Sequence, residues 1–182
     1  MSTVVASAPD TSEYAPYYGR YISLVGQGDI IGILESHAAE TQRMLSSISE
    51  EQATLRYAPG KWSVKQLFGH VIDTERIFSY RALRIARGDQ TPIEGFEQDA
   101  YVENGPFEKQ TVGNIKEEYW SVRDCTLHLF RNLQPMDWTR RGTASGKEVS
   151  VRALAYMIAG HEVHHWNVLR EKYGITAAPN SR

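Results

Sequence analysis

The chain is organised around one histidine-rich stretch, Ala159-Gly160-His161-Glu162-Val163-His164-His165-Trp166-Asn167-Val168-Leu169-Arg170. This stretch continues an apolar pattern with spacings of three and four residues, which predicts an amphipathic helix capped by Ser150 and ended by Gly174. His161 and His165 fall inside the apolar stripe, whereas His164 lies at its edge. Two imidazoles are therefore expected to face the core.

The spacing of His161 and His165 suits a metal ion. Four residues make slightly more than one helical turn, so one ion can take a nitrogen from each ring. The alternative is that each is a core histidine bonded to a neighbouring carbonyl, which is the commoner role of a lone buried His. Two neutral imidazoles side by side in a core need several hydrogen-bond partners, whereas one cation satisfies both. We therefore favour a metal site.

Composition restricts the class of protein. The 182 residues are enough for one domain, and 20 basic against 22 acidic residues give a formal charge of -2. This balance leaves no excess of positive charge that could bind nucleic acid or an anionic membrane, and neither partner is expected. Cys125 is the only cysteine, which excludes an internal disulfide and suits a reducing cytosol. We expect Cys125 to pack inside a helix bundle rather than to act as a nucleophile.

No stretch is long and apolar enough to span a membrane, and residues 1–16 lack the pattern of a signal peptide. A cytoplasmic location is the expectation. Residues 1–24 are assigned to an N-terminal extension, of which 1–12 are expected to be frayed, and residues 176–182 to a C-terminal tail. Four tyrosines near the start should pack on the outside of the bundle or on a partner chain, and we expect a homodimer; they are Tyr14, Tyr17, Tyr18 and Tyr21.

Three more amphipathic helices are predicted before the histidine-rich one. Their predicted caps are Asp29, Ser63 (with Gln66 as a capping box) and Thr111. No convincing run of alternating strand residues is present, so the fold class is all-α, a four-helix bundle over residues 25–175. The long connection 89–110, between the second and third helices, should be ordered and cover one end of the bundle.

The remaining histidines are less clear from periodicity. His70 lies at the margin of the second helix's apolar face and is ambiguous, with Asp73 and Glu75 nearby as carboxylates that could orient a ligating ring. His37 is interpreted as a surface or boundary residue, although its position would also allow a ligand. His128 is assigned no chemistry.

Three segments together carry a family resemblance: Lys61-Trp62-Ser63-Val64-Lys65-Gln66-Leu67-Phe68-Gly69-His70-Val71-Ile72-Asp73-Thr74-Glu75-Arg76, Gly95-Phe96-Glu97-Gln98-Asp99-Ala100-Tyr101 and Gly160-His161-Glu162-Val163-His164-His165. Their order and spacing resemble the DinB-like (YfiT-like) superfamily, over residues from about 29 to 173. The resemblance implies a four-helix bundle that holds one divalent metal through His70, His161 and His165. It also places Tyr80, Arg81 and Tyr101 near the cavity, but we do not assign them to the site.

Three imidazoles without a carboxylate would form an open site, because a structural zinc is closed by a fourth protein ligand. Zinc is the first expectation for the ion, with nickel, iron or manganese as alternatives. The resemblance favours an enzyme that transfers a low-molecular-weight thiol, of the bacillithiol or mycothiol type, to a small electrophilic substrate.

Two alternatives stay open. One is a hydrolase that uses metal-bound hydroxide, with Asp73, Glu75 or Glu162 as a candidate base. The other is a non-catalytic metal-binding stress protein whose site is structural or vestigial.

Overall fold

Four long helices form the body of the computed structural model, which describes residues 7–176. They are α1 (Ile30–Ser47), α2 (Val64–Ala86), α3 (Val112–Arg131) and α4 (Val151–Val168). Asp29, Ser63, Thr111 and Ser150 cap them, and each cap side chain accepts a hydrogen bond from a backbone N–H in the first turn. The predicted helix starts and the four-helix bundle are therefore confirmed.

The long helices do not pack in sequence order. α1 lies against α3 and α4, and α2 also lies against α3 and α4. Two of the three consecutive pairs of long helices, α1 with α2 and α3 with α4, therefore sit across the bundle from each other. This arrangement brings α2 and α4, the helices with the predicted ligands, into the most extensive contact.

Short elements fill the connections between the long helices. The structure has short α-helices at Gly19–Ile22, Glu50–Ala53, Gln98–Asn104 and Pro135–Trp138, 3-10 turns at Thr11–Glu13, Pro16–Tyr18 and Phe107–Lys109, and a π-helical turn at Leu169–Tyr173. Gly174 ends the last of these in the left-handed conformation, as the predicted stop requires.

The structure contains a small antiparallel hairpin that the sequence pattern did not predict. Strand β1 (Arg141–Ala144) pairs with β2 (Lys147–Ser150) through a two-residue turn. Ser145 and Gly146 both have positive φ, which is the geometry of a tight hairpin turn with the correct twist. The strands are only four residues long, too short for an alternating pattern to reveal them.

The N-terminal segment is fixed on the bundle, so the prediction of fraying is wrong for residues 10–12. Asp10 caps the turn Thr11–Glu13, and the buried Glu13 carboxylate forms an ion pair with Arg152 and accepts a hydrogen bond from Ser150. Residues 1–6 and 177–182, which belong to the predicted extension and tail, lie outside the described residues. The division into 1–24, 25–175 and 176–182 stays a prediction.

The connection 89–110 is ordered, as expected. Val102, on the helix Gln98–Asn104, is buried, and the ring of Phe107 packs against Gly69 of α2. A Cβ atom on Gly69 would lie 2.2 Å from that ring, so only glycine allows this close approach.

The core has two apolar clusters with a polar layer between them. Along each long helix, the residues of one cluster are separated from those of the other by buried polar side chains. The layer contains Thr41, His70, Thr74, Glu75, Arg123, His161, Glu162 and His165. Among residues 7–176, no helix combines the length and apolar character that crossing a bilayer requires.

Candidate metal centre

The three predicted histidines meet in the polar layer. His70 comes from α2, and His161 and His165 come from successive turns of α4; all three are buried. The Nε2 atom of His161 lies 3.0 Å from Nε2 of His70 and 3.0 Å from Nε2 of His165. One ligand atom from each ring fits within 4.8 Å of the others.

Burial keeps these imidazoles neutral. Burial, and to a smaller extent the nearby His164, lowers the pKa of His70 to about 4. Burial also lowers the pKa of His161 and of His165 well below the usual value, and the neighbouring histidines add to the effect. Neutral rings present the nitrogen lone pairs that a metal ion needs.

The three rings cannot satisfy one another by hydrogen bonds. The Nε2 atom of His161 is either a donor or an acceptor, so it makes at most one good bond to its two Nε2 neighbours. Zinc ligands at 2.0–2.1 Å in tetrahedral arrangement are about 3.3 Å apart, which is close to the two separations of 3.0 Å that His161 makes. The geometry and the donor set therefore fit a divalent ion.

Neighbouring side chains hold the rings in place. The Trp62 ring lies against His70, with centroids 4.8 Å apart, and the Tyr21 ring meets His161 edge-on at 5.4 Å. The Thr74 hydroxyl oxygen is 3.5 Å from Nδ1 of His70, where it can fix the tautomer. Within the described part of the chain, Nδ1 of His165 has no such partner.

An open cleft of about 640 Å³ reaches the centre from one side. His165 lies in its wall, together with the aromatic rings of Tyr57, Trp62 and Tyr173. The helix Gln98–Asn104 forms part of the opposite wall, so the connection 89–110 helps to build the cleft. A small molecule in the cleft can therefore reach the wall that contains His165.

A buried ion network occupies the other part of the polar layer. Arg123, on α3, donates two hydrogen bonds of 2.8 Å to the Glu75 carboxylate and one of 2.8 Å to Glu162. Thr41 and Tyr119 also donate to Glu162, at 2.7 and 2.6 Å. Burial raises the pKa of Glu162, but Arg123 and the hydrogen bonds overcome this effect and lower it to about 2.

This network corrects the proposed roles of the acids. Glu75 and Glu162 bind Arg123 rather than the histidine rings, so neither orients a ligand or is free to act as a base. Asp73 forms an ion pair with Arg76 at the partly exposed side of α2 and also does not contact the rings. Burial raises the pKa of Asp73, and Arg76 opposes that effect.

The other predicted residues lie outside the three-histidine cluster. His37 is a boundary residue, as interpreted: its ring packs on Trp166, and Nδ1 is 3.5 Å from the Glu162 carboxylate. His128 is exposed, in agreement with the absence of an assigned role. The prediction that Cys125 packs inside is wrong, because its side chain is exposed on α3.

The three positions suggested by the resemblance do not line the 640 Å³ cleft. Tyr80 is exposed, Tyr101 packs on Phe96, and Arg81 is buried beside the hairpin. Of the four N-terminal tyrosines, Tyr18 and Tyr21 pack on the bundle through Phe78 and His161, whereas Tyr17 is largely exposed.

Sequence reasoning missed Arg123, although a signal for it exists. Arg123 lies four residues after Tyr119 and seven before Phe130, both on the buried stripe of α3. A charged residue at the centre of an apolar stripe indicates a buried ion pair. The apolar residues Val122 and Leu129, which also follow the helical spacing, lie at the edges of this stripe and are only partly buried.

Fold and site together define a four-helix bundle with a cluster of three buried histidines suited to one metal ion. The chain belongs to the DinB superfamily, whose model matches residues 33–169. A protein of Oceanobacillus iheyensis, described as a candidate metal-dependent hydrolase, is 24% identical over 134 residues, which cover 72% of this chain and 76% of that protein.

Solved structures show the same fold at lower identity. YfiT from Bacillus subtilis, described as a probable metal-dependent hydrolase with an unusual four-helix bundle topology, has a TM-score of 0.71 and 18% identity; the match covers 95% of this chain and 100% of that one. A mycothiol-dependent maleylpyruvate isomerase has a TM-score of 0.65 and 13% identity, and the match covers 86% of this chain and 64% of that one. At these identities the likeness shows the fold alone.

Proposed function

We propose that this chain binds one divalent metal ion through His70, His161 and His165 and transfers a low-molecular-weight thiol to a small electrophilic substrate. The convergence of three neutral Nε2 atoms beside an open cleft carries the proposal. Zinc is the expected ion, because it suits nitrogen ligands and is redox-inert.

A divalent ion in an open three-histidine site lowers the pKa of a coordinated water or thiol. The residues of the chain have separate tasks. His70, His161 and His165 hold the ion, while Trp62 and Tyr21 restrict the rotation of the rings. The cleft holds the substrate, and its wall combines aromatic rings with charged side chains, among them Arg56, Lys61 and Asp99, so it suits a small electrophile that carries both apolar and polar groups.

The positions of the carboxylates favour thiol transfer over hydrolysis. A hydrolase of this kind is expected to use a carboxylate base, but the two carboxylates of the polar layer, Glu75 and Glu162, are bound by Arg123, which leaves only the acids of the cleft wall. An externally supplied thiol needs no such base once its pKa is lowered. The mycothiol dependence of a structural neighbour is consistent with this choice.

Hydrolysis is the second candidate. It is favoured by the descriptions of the Oceanobacillus protein and of YfiT. In that case the attacking group would be water, and the base would have to come from the cleft, where Asp99 and Glu103 line the wall.

Metal binding is tested with protein purified without a histidine tag. We expect one zinc ion per chain, and we expect His70→Ala, His161→Ala and His165→Ala each to lower zinc affinity by more than about 100-fold, since even the loss of a residue that only supports a ligand costs about 10–100-fold. His128→Ala is the matched control, because His128 is exposed. If the three variants bound zinc as tightly as the control, the assignment would be wrong.

The reaction is tested by mixing the zinc-loaded protein with a thiol and a halogenated aromatic electrophile. Thiol transfer predicts an adduct formed faster than the uncatalysed rate and lost in His161→Ala. Hydrolysis predicts no such adduct, but cleavage of ester or amide substrates. A non-catalytic site predicts neither, and the spectrum of the cobalt-substituted protein would then not respond to thiols, azide or imidazole.

A further inference from the structure

Arg81 is a buried cation without a carboxylate partner. It lies on α2, and only 2% of its surface is exposed. Every Asp and Glu of the chain falls within residues 7–176, and none of them forms an ion pair with Arg81. By contrast, the other deeply buried arginine, Arg123, is paired with two carboxylates.

The neutral partners of Arg81 leave one of its donors unused. Its Nη2 atom donates to the Glu94 carbonyl oxygen at 2.9 Å and to the Ser145 hydroxyl at 3.0 Å. Its Nε atom is buried and has no acceptor among the described residues. Burial lowers the pKa of Arg81, and Tyr18, which is a further neutral hydrogen-bonding partner of the guanidinium, opposes this effect only in part. Since a guanidinium keeps its proton in proteins, the positive charge stays in place.

A small cavity adjoins this side chain. Arg81 lines it together with Tyr18, Leu154 and Met157 on the inner side and Lys147 on the exposed side. Its interior offers about 10 Å³ to the centre of a water-sized sphere. That space is close to the 10–15 Å³ that one water molecule needs, so it admits one small ion or molecule. The remaining charged residue of the lining, Glu148, forms an ion pair with Arg141.

We propose that the cavity beside Arg81 binds one small monovalent anion of about the size of a halide ion. The anion would accept a hydrogen bond from the unused Nε–H and would supply the negative charge that the fold does not provide. Lys147 adds a second positive charge at the exposed side of the cavity. This site shares no lining residue with the three-histidine cluster, so the test of the anion site does not depend on whether the proposed metal centre is correct.

A buried water is the competing occupant. Water would satisfy the Nε–H but would leave the guanidinium charge offset only by Tyr18 and by the faces of the Phe78 and Phe96 rings, whose centroids lie 5.7 and 5.9 Å from Cζ. An anion satisfies both the donor and the charge, which is why we favour it. The two occupants are distinguished by experiment, because bromide scatters anomalously and water does not.

The first test is diffraction from crystals of the full chain soaked in sodium bromide. We expect an anomalous peak within hydrogen-bonding distance of Nε of Arg81. An ordered water at that position, with bromide found only elsewhere, would overturn the proposal.

The second test is thermal unfolding at constant ionic strength, with sodium chloride replacing sodium gluconate, whose anion is too large for the cavity. At ten times its Kd, the anion lowers the unfolding constant about 11-fold and raises Tm by about 3–6 °C for a chain of this length. Arg81→Met should lose this chloride-dependent increase. Arg84→Met is the matched control, since Arg84 is on the same helix and already pairs with Asp89. An equal chloride response in both variants would refute the site.

Discussion

Replacement of Arg123 by methionine is the sharpest test of the polar layer. Arg123 is completely buried and donates to Glu75, to Glu162 and to the Leu34 carbonyl oxygen. Methionine fills a similar volume but removes the charge and all of these donors. Two buried carboxylates would then face each other without a counter-charge.

The structure sets the size of the effect. A pKa lowered from 4.5 to about 2 makes Glu162 worth about 3 kcal/mol of stability at pH 7. In mutational experiments, removing one partner of a buried ion pair costs about 3–5 kcal/mol of stability, which agrees with the value obtained from the pKa of Glu162. For a chain of this length, that loss corresponds to a fall in Tm of about 6–20 °C.

The contribution of Glu162 to the free energy of unfolding decreases as the pH falls. Because the folded-state pKa of Glu162 lies below its ordinary value, its contribution is complete above pH 4.5 and is lost as the pH falls towards about 2. In the Arg123→Met variant, burial is no longer opposed and the pKa of Glu162 should rise above 4.5. The stability difference between the parent and the variant should therefore narrow as the pH falls from 7 to 5.

The assay is urea unfolding followed by circular dichroism, with a chelator present so that metal binding does not contribute. Arg131→Met is the control: Arg131 pairs with Glu35 on the exposed surface, where such a pair is worth about 0–1 kcal/mol. The triple variant Glu75→Gln, Arg123→Met, Glu162→Gln should recover most of the loss, because no charge is then left buried. If Arg123→Met were no more destabilising than Arg131→Met, our account of the network would be wrong.

Three further outcomes follow from single residues. Gly160→Ala should destabilise the fold by about 1–3 kcal/mol in urea unfolding, because its Cβ would lie 2.0 Å from the Tyr21 carbonyl oxygen; an unchanged midpoint would contradict that contact. The metal-free protein should lose stability as the pH falls from 6.5 towards about 4, since the pKa of His70 is lowered to about 4, and His70→Gln should flatten that slope. Cys125 should react with a thiol reagent in the folded protein nearly as fast as in urea, because it is exposed; strong protection would show that this face is covered.

The starts of the four long helices could be predicted from the sequence because a helix cap depends only on residues that are close together in the chain. A helix start needs only a side-chain acceptor and the next few N–H groups, so Asp29, Ser63, Thr111 and Ser150 could be identified from neighbouring residues. The inward direction of His161 and His165 likewise follows from their spacing on one helix.

Contacts between residues that are far apart in the chain could not be predicted from local sequence patterns. His70 lies at the edge of its stripe, and only the family resemblance selected it, since its partners are 91 and 95 positions further along the chain. Periodicity marks Arg123 as buried but cannot identify the acids it binds. The hairpin β1–β2 could not be predicted for a different reason. Each strand is shorter than the stretch of sequence in which an alternating pattern can be recognised.

The arrangement of α4 explains how the three-histidine cluster and a closed ion network coexist in one layer. His161 and Glu162 are successive residues, so their side chains point about 100° apart around the helix. One faces His70 on α2, and the other faces Arg123 on α3. The network thus fixes the rotation of α4 at the turn that carries the histidines, while its own charges are satisfied away from them. The three neutral imidazoles are left outside the ion network, and one of them, His165, lies in the wall of the cleft, as the proposed metal site requires.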